Sequence, residues 1–182
     1  MKYYVLIAAL VASINFSCGN AQELNSNSNT LQDVRRDSSE SIGHDNVIAE
    51  YINLKNALAS DDSKTSAVVG KRLRTAIINF GKESMSDEQK EAYSDIGESI
   101  KEHAEHITDN NGNIEHQREH LEDLSVDLFD LIEIFGTSKT LYKNFCPMKK
   151  VSWLSESEEI RNPYYGKSML TCGNIQEVIN RR

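Results

Sequence analysis

The chain has 182 residues, with 28 acidic against 20 basic side chains and a formal charge of −8. That length holds one modest domain with enough apolar material for a core. The negative balance repels phosphate backbones and argues against nucleic-acid binding.

The N-terminal stretch MKYYVLIAALVASINFSCGNAQ sets one Lys before an apolar run from Tyr3 to Ile14, with small residues after it. Residues 1–21 read as an export signal, too short to span a bilayer. Two cleavage sites compete. Gly19-Asn20-Ala21 suits ordinary signal peptidase and would give a soluble protein from Gln22. Ser17-Cys18-Gly19 resembles a lipobox, which would make Cys18 a lipidated first residue and the only membrane contact; this reading is placed slightly ahead. The expected location is therefore periplasmic or, as a lipoprotein, on the outer membrane. Residues 22–43 are rich in Ser and Asn with few apolar anchors, a composition that cannot offset its ordering entropy. They read as a flexible tether ahead of a domain at 44–180.

Beyond the tether the apolar pattern is helical. Val47, Tyr51, Leu54 and Leu58 recur at spacings of three and four, and Asp61-Asp62 interrupts them. Val69, Leu73, Ala76 or Ile77, and Phe80 form a second stripe, closed by Gly81. Ser86 to Gln89 is a capping-box start, followed by Tyr93, Ile96, Ile100, Ala104 and Ile107. The turn DNNGN (109–113) offers Asn113 as an N-cap, and Gln117, Leu121, Leu124, Leu128, Leu131 and Phe135 make the last stripe, ending at Gly136. The pattern predicts an all-α fold, an antiparallel four-helix bundle. After Gly136 the period breaks. The remainder holds both prolines, the only Trp and three of the seven tyrosines. It reads as an irregular segment, with room for a short hairpin, docked on the bundle through Trp153, Tyr164 and Tyr165. Charge favours that docking: residues 83–133 carry 16 acids and three bases, while the stretch from Lys139 carries eight bases and four acids.

Two groups of residues carry candidate chemistry. His103 and His106 are three apart, His116 and His120 four apart, so each pair shares a helix face. Positions equidistant from the turn near Asn111 meet across an antiparallel hairpin, which pairs His106 with His116 and His103 with His120. His103 and His120 also border the apolar stripes and are the two taken as metal-ligand candidates; a structural, hydrogen-bonded role is the plain alternative. The second group is Cys146 with Met148 and Met169 with Cys172. Thiolate and thioether sulfur are soft donors that favour Cu(I) or Ag(I), and imidazole joins them readily. Zinc is possible through Cys and His but does not want Met. Paired cysteines in an exported chain also readily form a disulfide, and the residues alone weigh a Cys146–Cys172 bridge and a metal site evenly. Catalysis finds little support, because no GxSxG, Gly-rich phosphate loop or HExxH occurs. No catalytic residue and no enzymatic activity are expected.

In order along the chain, YINLKNALASDD (51–62), HAEHI (103–107), HQREHLEDLS (116–125), YKNFCPM (142–148) and WLSESEEIRNPYYGKSMLTCG (153–173) resemble a bacterial family of unknown function, DUF3347, over roughly residues 45–180. Members of that family occur alone as exported proteins and lipoproteins, or fused to periplasmic adaptor subunits of heavy-metal efflux pumps. The resemblance implies a setting in metal efflux, with efflux components as partners, and tilts the balance toward a metal site. The expectation is thus an exported Cu(I)- or Ag(I)-binding domain that uses Cys146, Met148, Met169 and Cys172, with contributions from His103 and His120. Its rival is a structural or interaction module that contacts another envelope protein and carries a plain Cys146–Cys172 disulfide.

Overall fold

In the computed structural model the described residues are 28–181, with side chains from 43 onward. The export signal and Cys18 lie outside them. Four α-helices come first among these residues: α1 (Ser28–Ala59), α2 (Ser63–Phe80), α3 (Asp87–Asp109) and α4 (Ile114–Phe135). Because α1 begins at Ser28, helical backbone runs into the stretch read as a tether. None of the described helices is long and apolar enough to cross a membrane.

The caps explain where the helices start. Asp62 accepts the Thr65 N–H at 2.9 Å to open α2. Ser86 and Gln89 exchange side-chain and backbone bonds in a full capping box for α3, and Asn113 caps α4. Each helix packs on the next, and α1 also touches α4. The stripes meet in one core. Tyr51, Leu54, Leu73, Ile77, Ile100, Ile107, Leu121, Leu124 and Leu128 are all fully buried.

The all-α expectation needs correction, because the C-terminal part forms a small antiparallel sheet. Strands β1 (Leu141–Cys146), β2 (Val151–Ser155) and β3 (Asn174–Ile179) lie in the order β2-β1-β3. The hairpin register sets Tyr142 opposite Ser155 and Cys146 opposite Val151, around a turn that contains Pro147. A bulge between Lys143 and Asn144 interrupts the pairing of β1 with β3. Neither outer strand announces itself. In β2, Trp153, Leu154 and Ser155 are buried in succession, and β3 is exposed along nearly its whole length, so no clean two-residue alternation exists.

Strand β2 rests on α1 and α4. Trp153 and Tyr164 are buried and Tyr165 is half-buried, as an anchored segment requires. Tyr51 of α1 accepts the Leu154 N–H at 3.2 Å and contacts the Ser125 hydroxyl of α4 at 2.7 Å, which stitches strand and helices together. The opposite charges of the two regions meet where Lys149 donates to Glu122 at 2.8 Å.

The firmest tie is Arg118, a buried base on α4. Its Nε donates to the Pro163 carbonyl at 2.9 Å, and Nη2 donates to the Leu58 carbonyl at 3.1 Å and to Asp61 at 2.5 Å. Asp61, in the α1–α2 turn at φ 60°, also accepts the Lys167 N–H at 3.1 Å. The chain passes this cluster at Gly166, at φ 55°, where a Cβ would fall on both the Asp61 carboxylate and the Arg118 guanidinium. Gly166→Ala is therefore expected to destabilise the fold by about 2 kcal/mol or more through left-handed strain and the clash. Arg118→Met, which leaves carbonyls unmet, should cost a similar ~2–4 kcal/mol. Urea unfolding of each variant measures both. A loss below about 0.5 kcal/mol, the range of ordinary surface substitutions, would mean the cluster does not hold the segment down.

Candidate metal centre

The α3–α4 hairpin is pinned by bonds that involve no imidazole. Asn110 closes α3 through its backbone N–H and its side-chain amide, both donating to the His106 carbonyl. Buried Gln117 donates to the Ile107 carbonyl at 2.9 Å and to the Ser63 carbonyl at 3.1 Å. One side chain thus meets a carbonyl of the last turn of α3, which lacks a helical partner, and ties it to the start of α2. This fixes the register of the two helices to the residue.

That register gathers four imidazoles in the groove between α3 and α4. His120 sits at the centre: its Nδ1 is 3.0 Å from His103 Nδ1, and its Nε2 is 3.2 Å from His116 Nε2. His106 stacks on the His120 ring with centroids 4.5 Å apart and planes 14° from parallel. His116 Nδ1 lies 2.9 Å from the Glu119 carboxylate. One tautomer set satisfies this chain. His116 donates from Nδ1 to Glu119, His120 donates from Nε2 to His116, and His103 donates from Nδ1 to His120. All the rings in it are neutral, the form in which imidazole ligates a metal.

At His120 the electrostatics favour that form. Burial lowers the pKa of His120, and neighbouring His106, His103 and His116 lower it further, against an opposing pull from Asp123. Asp127 accepts from the Ser99 hydroxyl at 2.8 Å; burial raises its pKa, and the nearby His103 opposes the shift.

As donors, His106, His116 and His120 form the tightest set. One ring nitrogen from each lies within 4.8 Å of the other two. His116 is the best prepared of the three, because the carboxylate on its Nδ1 fixes the tautomer and orients the ring. The expected facing of His103 and His120 is what the hairpin shows, but the trio brings in His106 and His116, which were not taken as ligands. The signal for them was the cross-hairpin match; they lie outside the apolar stripes, His106 in particular being exposed.

The sulfur residues lie elsewhere. Cys146, at the end of β1, is buried, and Cys172, in the loop before β3, is half-buried; both are free thiols. They are in hydrogen-bonding contact, and burial followed by the charge and hydrogen bond of Cys146 raises the pKa of the Cys172 thiol. Asn162, itself fully buried, holds the loop by donating to the Cys172 carbonyl at 2.7 Å and accepting the Tyr164 N–H at 2.8 Å. Both methionines are exposed, Met148 at 63% and Met169 at 37%. The structure thus brings the two thiols together and separates them from the histidines. On α4, Arg118, Glu122, Ser125 and Phe129 meet the C-terminal segment, whereas His116, His120 and Asp127 meet α3.

The model of the family described as "Protein of unknown function (DUF3347)" matches residues 47–140. The chain belongs to that family. The DUF3347 match takes in α2, α3, α4 and all four clustered histidines, and it ends before Cys146; the sulfur motifs from 142 onward lie beyond it. No curated protein and no solved structure matches the chain.

The lowered pKa of His120 has a consequence for the metal-free protein. Above its ordinary value of 6.5 the group is neutral in both folded and unfolded chains and has no effect. As pH falls below 6.5 the unfolded chain takes up the proton first, so stability declines until the folded group also protonates and then levels off. Urea unfolding between about pH 7.5 and 5.5 should show this decline, and His120→Gln should flatten it. An equal slope in the variant would assign the dependence to other groups.

Proposed function

We propose that this protein binds a soft or borderline transition-metal ion outside the cytoplasm, with copper as first choice and zinc or silver as alternatives. The observation that carries the reading is the imidazole cluster, above all the His106, His116 and His120 nitrogens within 4.8 Å of one another with Glu119 behind His116. Neutral imidazole suits copper and zinc, and thiols suit Cu(I) and Ag(I). The role is one of binding: holding, delivering or sensing the ion during metal handling or efflux. Export rests on the apolar N-terminal run, and an efflux component as partner rests on the resemblance stated above. An antiparallel four-helix bundle is part of the same reading, supported by the successive packing of the helices and the contact of α1 with α4. His103 extends the imidazole set through His120. Cys146 and Cys172, with Met148 and Met169 at the surface near them in sequence, form a second group suited to Cu(I) or Ag(I).

Competition titrations with Cu(I), Cu(II) and Zn(II) on reduced protein test this. His116→Gln/His120→Gln should abolish tight Cu(II) and Zn(II) binding while leaving Cu(I) to the thiols, and Glu119→Gln should weaken binding at the imidazoles about 10- to 100-fold, the scale of a lost orienting partner. Met148→Leu/Met169→Leu keeps the packing volume and should leave binding at the imidazoles unchanged. Full Cu(II) and Zn(II) affinity in the double histidine variant would overturn the assignment.

A second reading is favoured by the contact of the two thiols. Oxidised, Cys146 and Cys172 would form a disulfide that staples β1 to the loop before β3 in a structural or interaction module of the cell envelope. Metal analysis with thiol counting on protein isolated without reductant separates the two. No bound metal and no free thiols favour the module, and bound metal favours the first reading.

A further inference from the structure

Outside the histidine groove and the thiol pair, the molecule holds a lysine, buried but for its tip, that neither reading uses. Lys55, on α1, is only 2% exposed, yet among the described residues no hydrogen bond or ion pair meets its ammonium. A lysine so buried is ordinarily paired. Its side chain lines a cleft of about 300 Å³ between α1 and the segment that follows β2, with Asn56, Ser155, Ser157 and Arg161 also in the wall.

The wall is rich in donors. Ser155 Oγ accepts the Ser157 N–H at 3.2 Å, and Ser157 Oγ accepts the Glu159 N–H at 3.0 Å. Both hydroxyls therefore spend a lone pair on the backbone, and their protons have no acceptor among the described residues. Two carboxylates also line the cleft, but each is engaged: Glu156 with Lys139 at 2.7 Å and Glu159 with Arg161 at 3.7 Å. Burial, followed by the charge of Arg161, lowers the Lys55 pKa to about 8, with Glu156 and Glu159 opposing. The free protein thus holds an incompletely compensated cation beside several unused donors.

We infer that this cleft is a binding site for a small phosphate-type oxyanion, with Lys55 and Arg161 as its charged contacts and the Ser155 and Ser157 hydroxyls as neutral donors. Donors that approach from a helix and from a turn suit an anion with several acceptor oxygens, and charge-assisted bonds in a partly dry cleft are the strong ones. The acidic rim disfavours long polyanions and selects a compact one. The anion can arrive free in solution or as a lipid headgroup. The site shares no residue with the proposed metal centre, so the two stand or fall separately.

Calorimetry of the full chain with inorganic phosphate tests the inference, alongside sedimentation with phosphatidylglycerol vesicles. Lys55→Met keeps the length of the stem and removes the charge, and unfolding of the variant by urea checks that it still folds. Phosphate should bind the wild-type chain and raise its Tm. Lys55→Met should weaken that binding about tenfold or more, the scale of one charge-assisted hydrogen bond, and Arg161→Gln should also weaken it. The NMR signals of the Lys55 methylenes should move on addition of phosphate. Vesicle binding that is lost in Lys55→Met, without binding of free phosphate, assigns the site to a headgroup. Equal affinity in wild type and Lys55→Met, or no binding in either assay, overturns the proposal.

Discussion

A guanidinium removed from water must have its donors met, and the way Arg118 meets this requirement joins the two parts of the molecule. Besides Glu115 on its own helix, its partners come from three places: the end of α1, the α1–α2 turn, and the loop around Pro163. A buried charge with some of its partners missing is far more costly than one fully satisfied. The helices and the C-terminal segment are therefore not two independent bodies in contact. Asp61 carries the constraint onward, because the carboxylate that receives Arg118 also receives the backbone of Lys167. The positive φ of Asp61 and of Gly166 is what lets two turns approach one another around this pair.

Helix α4 distributes the chemistry. Its core stripe is ordinary, and the faces on either side of it differ. One edge, with Arg118, Glu122 and Ser125, supports the sheet and the loop that bears the thiols. The other, with His116, His120 and Asp127, closes on α3. Soft sulfur and borderline nitrogen are thus kept on separate sides of a well-packed helix, so that neither group completes the other. The family match covers the nitrogen side and stops short of the sulfur.

The helices could be read from the chain because their apolar stripes are regular and their caps are strong; the box at Ser86 and the cap at Asn113 start helices where they should. The meeting of His103 and His120 was legible for a geometric reason. In an antiparallel hairpin, distance from the turn sets what faces what. Exposed His106 could be paired across the turn in the same way, but nothing in its own neighbourhood marked it for a role. The sheet was hidden, since β3 (NIQEVI) shows no apolar alternation and is exposed along most of its length. Arg118 was hidden too. In the sequence it is a lone base among acids, which reads as a solvated face, and only the fold reveals the carbonyls it meets. The methionines sit beside the cysteines in sequence, but adjacency in sequence says nothing about which way a side chain points from a tight turn.

The Arg118 cluster also imposes an order on assembly. Its bonds reach 60 residues back to Leu58 and 45 residues forward to Pro163, and Asp61 reaches 106 residues to Lys167. Contacts so far apart along the chain must wait until the intervening loops have closed. The helices need only neighbouring hairpins to meet, whereas the Pro163–Lys167 loop has nothing to dock on until α1, α2 and α4 stand together. On a ribosome the helices also emerge first, so the loop closes last over a helical platform already in place. The same asymmetry runs in reverse: the C-terminal segment is the part that lifts away first, and the Lys167 amide, held across the molecule by a single carboxylate oxygen, is where hydrogen exchange would register that opening.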